Sequence, residues 1–91
     1  MATVVLPRSL VALFPGSERR VSVDGSTVRE VIDALDARWP GMRDRLCIPG
    51  PVLREYINVF VDAHPADLAT PVPPGGTVHV LPAVAGGSRP G

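Results

Sequence analysis

Two adjacent glycines near the end of the sequence, Gly86 and Gly87, are the residues with the clearest potential for chemistry. A terminal glycine carboxylate is sterically open, so another protein could bring it against a nucleotide for activation, and a backbone without side chains can thread a narrow channel. A short chain end with little to pack against is also typical of a disordered tail. Composition alone favours the flexible tail, and a reactive terminus is the alternative.

The other residues that could act as nucleophiles, bases or metal ligands are few and poorly spaced. The single cysteine, Cys47, cannot form an internal disulfide or a zinc site, and His64 and His79 lie far from it in the sequence. The chain has no phosphate-binding loop ending in Gly-Lys and no Ser/His/Asp grouping with a recognisable spacing. We therefore expect Cys47 to be an inert, partly buried thiol. We predict no catalytic residue, no metal site and no bound cofactor, and hence a protein that is not an enzyme.

Composition and charge exclude several functional classes. The 91 residues suit one domain, and the 45% that are hydrophobic suffice for a small globular core. All nine basic residues are arginines, and nine acidic residues balance them, so the basic excess of a nucleic-acid binder is missing. The apolar N-terminal stretch, residues 1–16, lacks a basic start and is too short to span a bilayer. We expect a cytoplasmic protein that contacts neither nucleic acid nor membrane.

One local group of basic residues has two interpretations. Arg43, Arg45 and Arg54 lie close together in the sequence, and Asp44 and Glu55 balance their charge locally. We expect a solvated polar face here, and a weak patch for a partner is the alternative.

One amphipathic helix is the clearest predicted element. Thr27 and Glu30 have the spacing of a capping box, in which the hydroxyl and the carboxylate each accept a hydrogen bond from the other residue's backbone N–H. Apolar residues at helical spacing predict one buried face: Val28, Val31, Ile32 and Leu35. Trp39 is expected to cover the edge of the core, and Pro40 ends the helix. Residues 41–46 allow a further helical turn.

Alternating apolar residues predict strands before and after this helix. The predicted strands are residues 2–6, 20–23, 56–61 and 77–81. We expect a loop at residues 47–55, a turn at residues 62–65, and at most one short strand or turn near Leu68. This order predicts an α+β fold, with one main helix on one face of a mixed sheet of four to five strands. A right-handed crossover makes a parallel pair of the first and last strands plausible.

The alternation also predicts which residues lie on the face away from the helix. Inward-facing positions are expected for Val59, Val61, Val78 and Val80. Phe60, His79 and Leu81 then project from the opposite face, where an apolar patch would dock a partner. The alternative is that a loop covers this patch. We interpret His79 as a surface residue and His64 as a turn residue.

The order of elements and three stretches of sequence together resemble a known family. The stretches TVREVIDALDARWPG, YINVFVD and GGTVHVLPAVAGG, in a strand–strand–helix–strand–strand order, are similar to the ubiquitin-like sulfur-carrier proteins of the ThiS and MoaD group. The ending LPAVAGG and the strand INVFVDA resemble in particular the CysO-type carriers of actinobacterial cysteine biosynthesis. The resemblance covers residues 1–87 and implies a β-grasp domain with a flexible tail from residue 82.

The resemblance implies a carrier function for the end of this tail. Gly87 would be adenylated with ATP by an adenylating and sulfurtransferase partner of the ThiF/MoeB type, which resembles ubiquitin-activating enzymes. The product would become a thiocarboxylate that gives sulfur to an acceptor, such as a cysteine-synthase-like protein, in the biosynthesis of cysteine or another sulfur-containing metabolite. Gly86, Ala85 and Val84 would position the end in the partner. Alternatives are the small subunit of a molybdopterin synthase and a ubiquitin-like modifier conjugated through Gly87 to lysines.

Residues 88–91 depart from this pattern because they follow the diglycine and block the carboxylate of Gly87. Some carriers of the group have such an extension, which a zinc-dependent JAMM-type metallopeptidase removes. We therefore predict cleavage between Gly87 and Ser88. A cloning scar or a tail that leaves the carrier inactive is the alternative.

Overall fold

The computed structural model describes residues 1–82 and contains a five-stranded mixed sheet with helices on one face. The elements in chain order are β1 (Ala2–Val5), α1 (Arg8–Val11), β2 (Arg20–Val23), α2 (Val28–Arg38), α3 (Met42–Leu46), β3 (Cys47–Ile48), β4 (Val52–Leu53), β5 (Ile57–Val61), β6 (His64–Ala66) and β7 (Thr77–Pro82). The large sheet has the strand order β2-β1-β7-β5-β6, so β7 is its central strand. This α+β architecture is the β-grasp fold predicted from the sequence.

The first and last strands of the fold are parallel neighbours. Val4 of β1 lies opposite Val78 of β7, whereas β2 and β5 pair antiparallel on either side. The first two strands thus form an antiparallel pair, and the expected parallel pair of the first and last strands is confirmed. Because β7 has a partner along each edge, its last residue, Pro82, belongs to the central strand and not to a free edge of the sheet.

The core lies between α2 and the sheet. The predicted helical face is buried, with Leu35 at 0% exposure and Ile32 at 1%. Val78 and Val80 of the central strand are each 1% exposed and belong to the same apolar cluster. Trp39 packs against this cluster at its edge, as predicted. No helix within residues 1–82 is long and apolar enough to cross a membrane.

The N-terminus of α2 differs in part from the predicted capping box. The Glu30 N–H donates to the Thr27 hydroxyl at 3.2 Å, as expected. The Glu30 carboxylate, however, accepts from the N–H and the hydroxyl of Ser26, at 2.8 and 2.7 Å, and not from Thr27. Thr27 forms a bridge with Pro71, and the Val28 N–H donates to the Thr70 carbonyl at 3.1 Å. The segment at residues 70–71, which is distant in sequence, thus takes part in capping the helix. No local spacing could predict this contact.

Two predicted connections contain short strands. The expected loop at residues 47–55 is wrong in part, because β3 and β4 form a small antiparallel hairpin there. The expected turn at residues 62–65 is confined to Asp62 and Ala63, both with positive φ. His64 is therefore not a turn residue: it lies with Pro65 in β6, paired with β5. A proline is tolerated there because β6 is an edge strand, so its missing N–H leaves no ladder bond unmade.

Candidate functional site: the root of the C-terminal tail and the open sheet face

The predicted reactive end lies outside the described residues. This holds for Gly87, for its positioning residues Gly86, Ala85 and Val84, and for the bond to Ser88. The described part of the site is strand β7, which leads to them, and the surface around its last residue. We call that residue, Pro82, the tail root.

Strand β7 is fixed at both ends. At its start, the Thr77 N–H donates to the Asp62 carboxylate at 2.9 Å, and the Asp62 N–H donates to the Thr77 carbonyl at 2.9 Å. At its end, Pro82 lies opposite Ile57 of β5. Proline has no N–H to donate, so it terminates the ladder and restricts φ at the exit. The chain beyond Pro82 therefore starts from a defined point at one end of the sheet.

The three predicted docking residues lie on one face of the sheet. His79 is paired with Phe60 of β5 on one side and with Val5 of β1 on the other, so the three side chains form a row across neighbouring strands. Paired residues share a face, and Leu81 shares the face of His79 because it lies two residues further along the same strand. The helix-covered face is the opposite one, which carries Val80.

We call the sheet face that carries Phe60, His79 and Leu81 the docking face. Its side chains are partly exposed, as on an uncovered sheet surface. Phe60 and His79 are half-buried, and Leu81 is 44% exposed. Asn58, opposite Leu81, and Arg20, at the edge opposite Val5, are exposed polar residues. Exposed apolar side chains bordered by polar residues are typical of an interaction surface. The use of this face for docking stays a prediction.

The cysteine lies apart from the tail root. Cys47 is 7% exposed and pairs with Leu53 in the small hairpin. Burial raises the pKa of its thiol, which disfavours the reactive thiolate. Among residues 1–82, no three His, Cys, Asp or Glu side chains gather in a way that could hold a metal ion. Sequence reasoning missed the pair of hydrogen bonds between Asp62 and Thr77, which we call the clamp.

Comparison with known proteins gives matches over nearly the whole chain. The profile of the ThiS family matches residues 4–87. A chain of the Amycolatopsis orientalis BexX/CysO complex is 36% identical, with a TM-score of 0.85, over 94% of this chain and 99% of that one. Mycobacterium tuberculosis CysO is 33% identical, with a TM-score of 0.81, over 92% of this chain and 100% of that one.

A more distant likeness extends to archaeal proteins. SAMP1 from Haloferax volcanii is 28% identical, with a TM-score of 0.73, over 93% of this chain and 97% of that one. A search of curated protein sequences returns no match. The family match includes the stretch that carries Gly86 and Gly87, and the CysO-type resemblance inferred from the sequence is confirmed. This chain therefore belongs to the ThiS family of ubiquitin-like β-grasp proteins, with the fold of the CysO-like carriers.

Proposed function

We propose that this chain carries sulfur as a thiocarboxylate on Gly87. The observation that carries the proposal is the position of the diglycine, which follows Pro82 by only a few residues at the end of the central strand. When fully extended, the five residues after Pro82 reach about 17 Å. The end of such a tail can enter the active site of a partner while the folded domain stays outside. Similarity to CysO supports this proposal over a purely structural role.

The chemistry requires a free carboxylate on Gly87. A JAMM-type metallopeptidase would first hydrolyse the bond between Gly87 and Ser88. The carboxylate would then attack the α-phosphorus of ATP on a ThiF/MoeB-type partner, with release of pyrophosphate. A hydrosulfide equivalent would attack the acyl carbon and displace AMP, which leaves the thiocarboxylate. A cysteine-synthase-like enzyme is the acceptor that we propose, in the biosynthesis of cysteine or a related metabolite.

The docking face would hold the domain while the tail is engaged. Phe60, His79 and Leu81 lie on the same side of the sheet, and Leu81 immediately precedes Pro82 at the tail root. A partner that covers this face would bury the apolar side chains of Phe60 and Leu81 beside the tail root. Apolar groups gain about 25 cal/mol per Å² when they leave water. The face therefore supplies binding free energy next to the reactive end.

Reconstitution tests the proposal. The full chain and a form that ends at Gly87 are each incubated with the activating partner and radiolabelled ATP. We expect acyl-adenylate formation only on the form that ends at Gly87, and thiocarboxylate after a sulfur source is added. Equal adenylation of both forms would contradict the blocking role of residues 88–91. If neither form is adenylated, the carrier function is contradicted.

A ubiquitin-like modifier is the second candidate. The likeness to SAMP1, a small archaeal modifier protein, favours it. The same activated Gly87 would then be attacked by the amine of a target lysine, and AMP or a partner thiol would leave. An isopeptide-linked adduct on another protein, in place of a thiocarboxylate, would decide for this candidate.

A further inference from the structure

A groove of about 320 Å³ opens beside Pro82, on the helix side of the tail root. Its apolar walls come from three separate parts of the chain: Leu13 just after α1, Leu46 at the end of α3, and Tyr56 just before β5. Leu13 and Tyr56 are large side chains, yet they are 50% and 54% exposed. The docking face described above is on the other side of the sheet, so this groove is a separate surface.

Two arginines border the groove, Arg45 and Arg54, and neither forms an ion pair with a carboxylate within residues 1–82. Arg43, their neighbour in sequence, forms an ion pair with Asp33 at 3.0 Å. Arg54 instead donates twice to the main-chain carbonyl of Asp44, at 2.9 and 2.7 Å, which holds the guanidinium in place without cancelling its charge. Arg45 has no side-chain hydrogen bond or ion pair within residues 1–82. The basic group thus divides into one paired arginine and two that line the groove.

None of the described residues that line the groove is acidic. A fixed guanidinium beside an apolar wall recognises a carboxylate next to an aliphatic or aromatic side chain, because charge-assisted hydrogen bonds to arginine are strong and directional. We propose that this groove docks an acidic, apolar segment of a partner protein. Its carboxylate would lie on Arg45 and Arg54, and its apolar side chain would lie between Leu13 and Tyr56.

The chain's own C-terminal segment is the alternative occupant, because the groove begins at Pro82. Residues 83–91 contain no Asp or Glu and include Arg89, so none of their side chains offers a carboxylate to the two arginines, and only an α-carboxylate at a chain end could pair with them. An acidic side chain next to an apolar one matches both the arginines and the apolar walls, so the lining of the groove favours a segment of another molecule. A partner bound here would lie directly beside the tail root. The proposal needs no chemistry at Gly87, so it stands or fails separately from the proposed carrier function.

Peptide titration of the full, ¹⁵N-labelled chain tests this docking site. The probe is acetyl-Asp-Leu-Glu-Phe-amide, and its neutral isostere, acetyl-Asn-Leu-Gln-Phe-amide, is the control. We expect saturable chemical-shift changes at Leu13, Arg54 and Tyr56, with a dissociation constant of about 1 mM or tighter for the acidic peptide. The neutral peptide is expected to bind at least about tenfold more weakly. Added salt should weaken the binding of the acidic peptide, because salt screens the attraction between exposed charges.

Charge-reversal variants separate the groove from general electrostatics. Arg45→Glu should abolish the shifts, whereas Arg29→Glu, the same change at an exposed position of α2, should leave them intact. An unchanged spectrum away from the groove shows that the variant folds. Equal binding of both peptides, shifts elsewhere, or no saturable shifts would overturn the proposal. Removal of residues 88–91 in the absence of peptide should leave the signals of the same three residues unchanged. A shift of these signals would identify the tail as the occupant and would also overturn the proposal.

Discussion

Asp62 and Thr77 hold each other through two hydrogen bonds of 2.9 Å, one in each direction. Asp62 belongs to the tight turn after β5, and Thr77 is the first residue of β7. The contact therefore ties the turn to the start of the strand that ends at Pro82. It adds to the pairing of β7 with β1 and β5 at the start of the strand that leads to the tail root.

The Asp62 clamp should contribute measurably to stability. Asp62→Gly removes the acceptor of the Thr77 N–H at a position whose positive φ glycine adopts readily, and we expect the free energy of unfolding to fall by about 1 kcal/mol more than in the control. Urea unfolding followed by circular dichroism measures this change. Asp24→Gly is the matched control, since Asp24 is exposed and makes no side-chain hydrogen bond within residues 1–82, and the substitution frees the unfolded chain equally. An equal effect of the two substitutions would contradict the clamp.

The helix cap at Glu30 should make stability depend on pH. Hydrogen bonds from the N–H and then the hydroxyl of Ser26 lower the pKa of the Glu30 carboxyl below its ordinary value of 4.5. The charged form therefore stabilises the folded chain above that ordinary value, and the stabilisation is lost as the pH falls through the lowered pKa. Glu30→Gln should lower the free energy of unfolding at neutral pH but not in strong acid. Glu55→Gln, at an exposed position, is the control, and a pH-independent deficit of Glu30→Gln would count against the cap.

These elements also show what the sequence could and could not predict. The helix, the main strands and the two sheet faces were predictable because each extends over enough residues for its apolar period to be seen. Strands of two or three residues, such as β3 and β6, have no visible period, and Pro65 obscured the second of them. The Asp62–Thr77 contact and the groove join residues distant in sequence, so no local pattern indicates them. The diglycine was informative only together with the order of strands before it.

The docking face should matter for activation and not for folding. We expect Leu81→Arg to raise the KM of the Gly87-ending form for adenylation by at least about tenfold, because the change places a charge in the centre of an apolar contact. Its free energy of unfolding should change by about 0.5 kcal/mol or less. Pyrophosphate exchange with the activating partner measures the effect. Ile48→Arg, at a residue of similar exposure on β3, is the control and should leave the KM unchanged.

The glycine end itself should tolerate no side chain. Gly87→Ala is expected to reduce adenylation at least about tenfold, since a methyl group at the reacting residue displaces the carboxylate from the nucleotide. Thermal unfolding should be the same as for the unsubstituted chain. Gly91→Ala, in the segment proposed to be removed, should leave both processing and activation intact. Equal activation of the Gly87→Ala chain would argue against a narrow channel in the partner.

The buried cysteine should take no part in sulfur transfer. Burial raises the pKa of Cys47, so a thiol-alkylating reagent should react at least about tenfold more slowly with the folded chain than with the chain unfolded in urea. Cys47→Ala should leave thiocarboxylate formation unchanged. Loss of sulfur loading in this variant, with stability preserved, would mean that the thiol participates.

Intact mass of the protein purified from its native host tests whether Gly87 carries sulfur. We predict loss of residues 88–91 and, relative to the form that ends at Gly87, a mass increase that corresponds to one oxygen replaced by sulfur. The sulfur should be lost on treatment with an alkylating reagent followed by hydrolysis, and it should be absent from Gly87→Ala. A single species with the full-length mass, under conditions where the host makes its sulfur-containing metabolites, would contradict the carrier function.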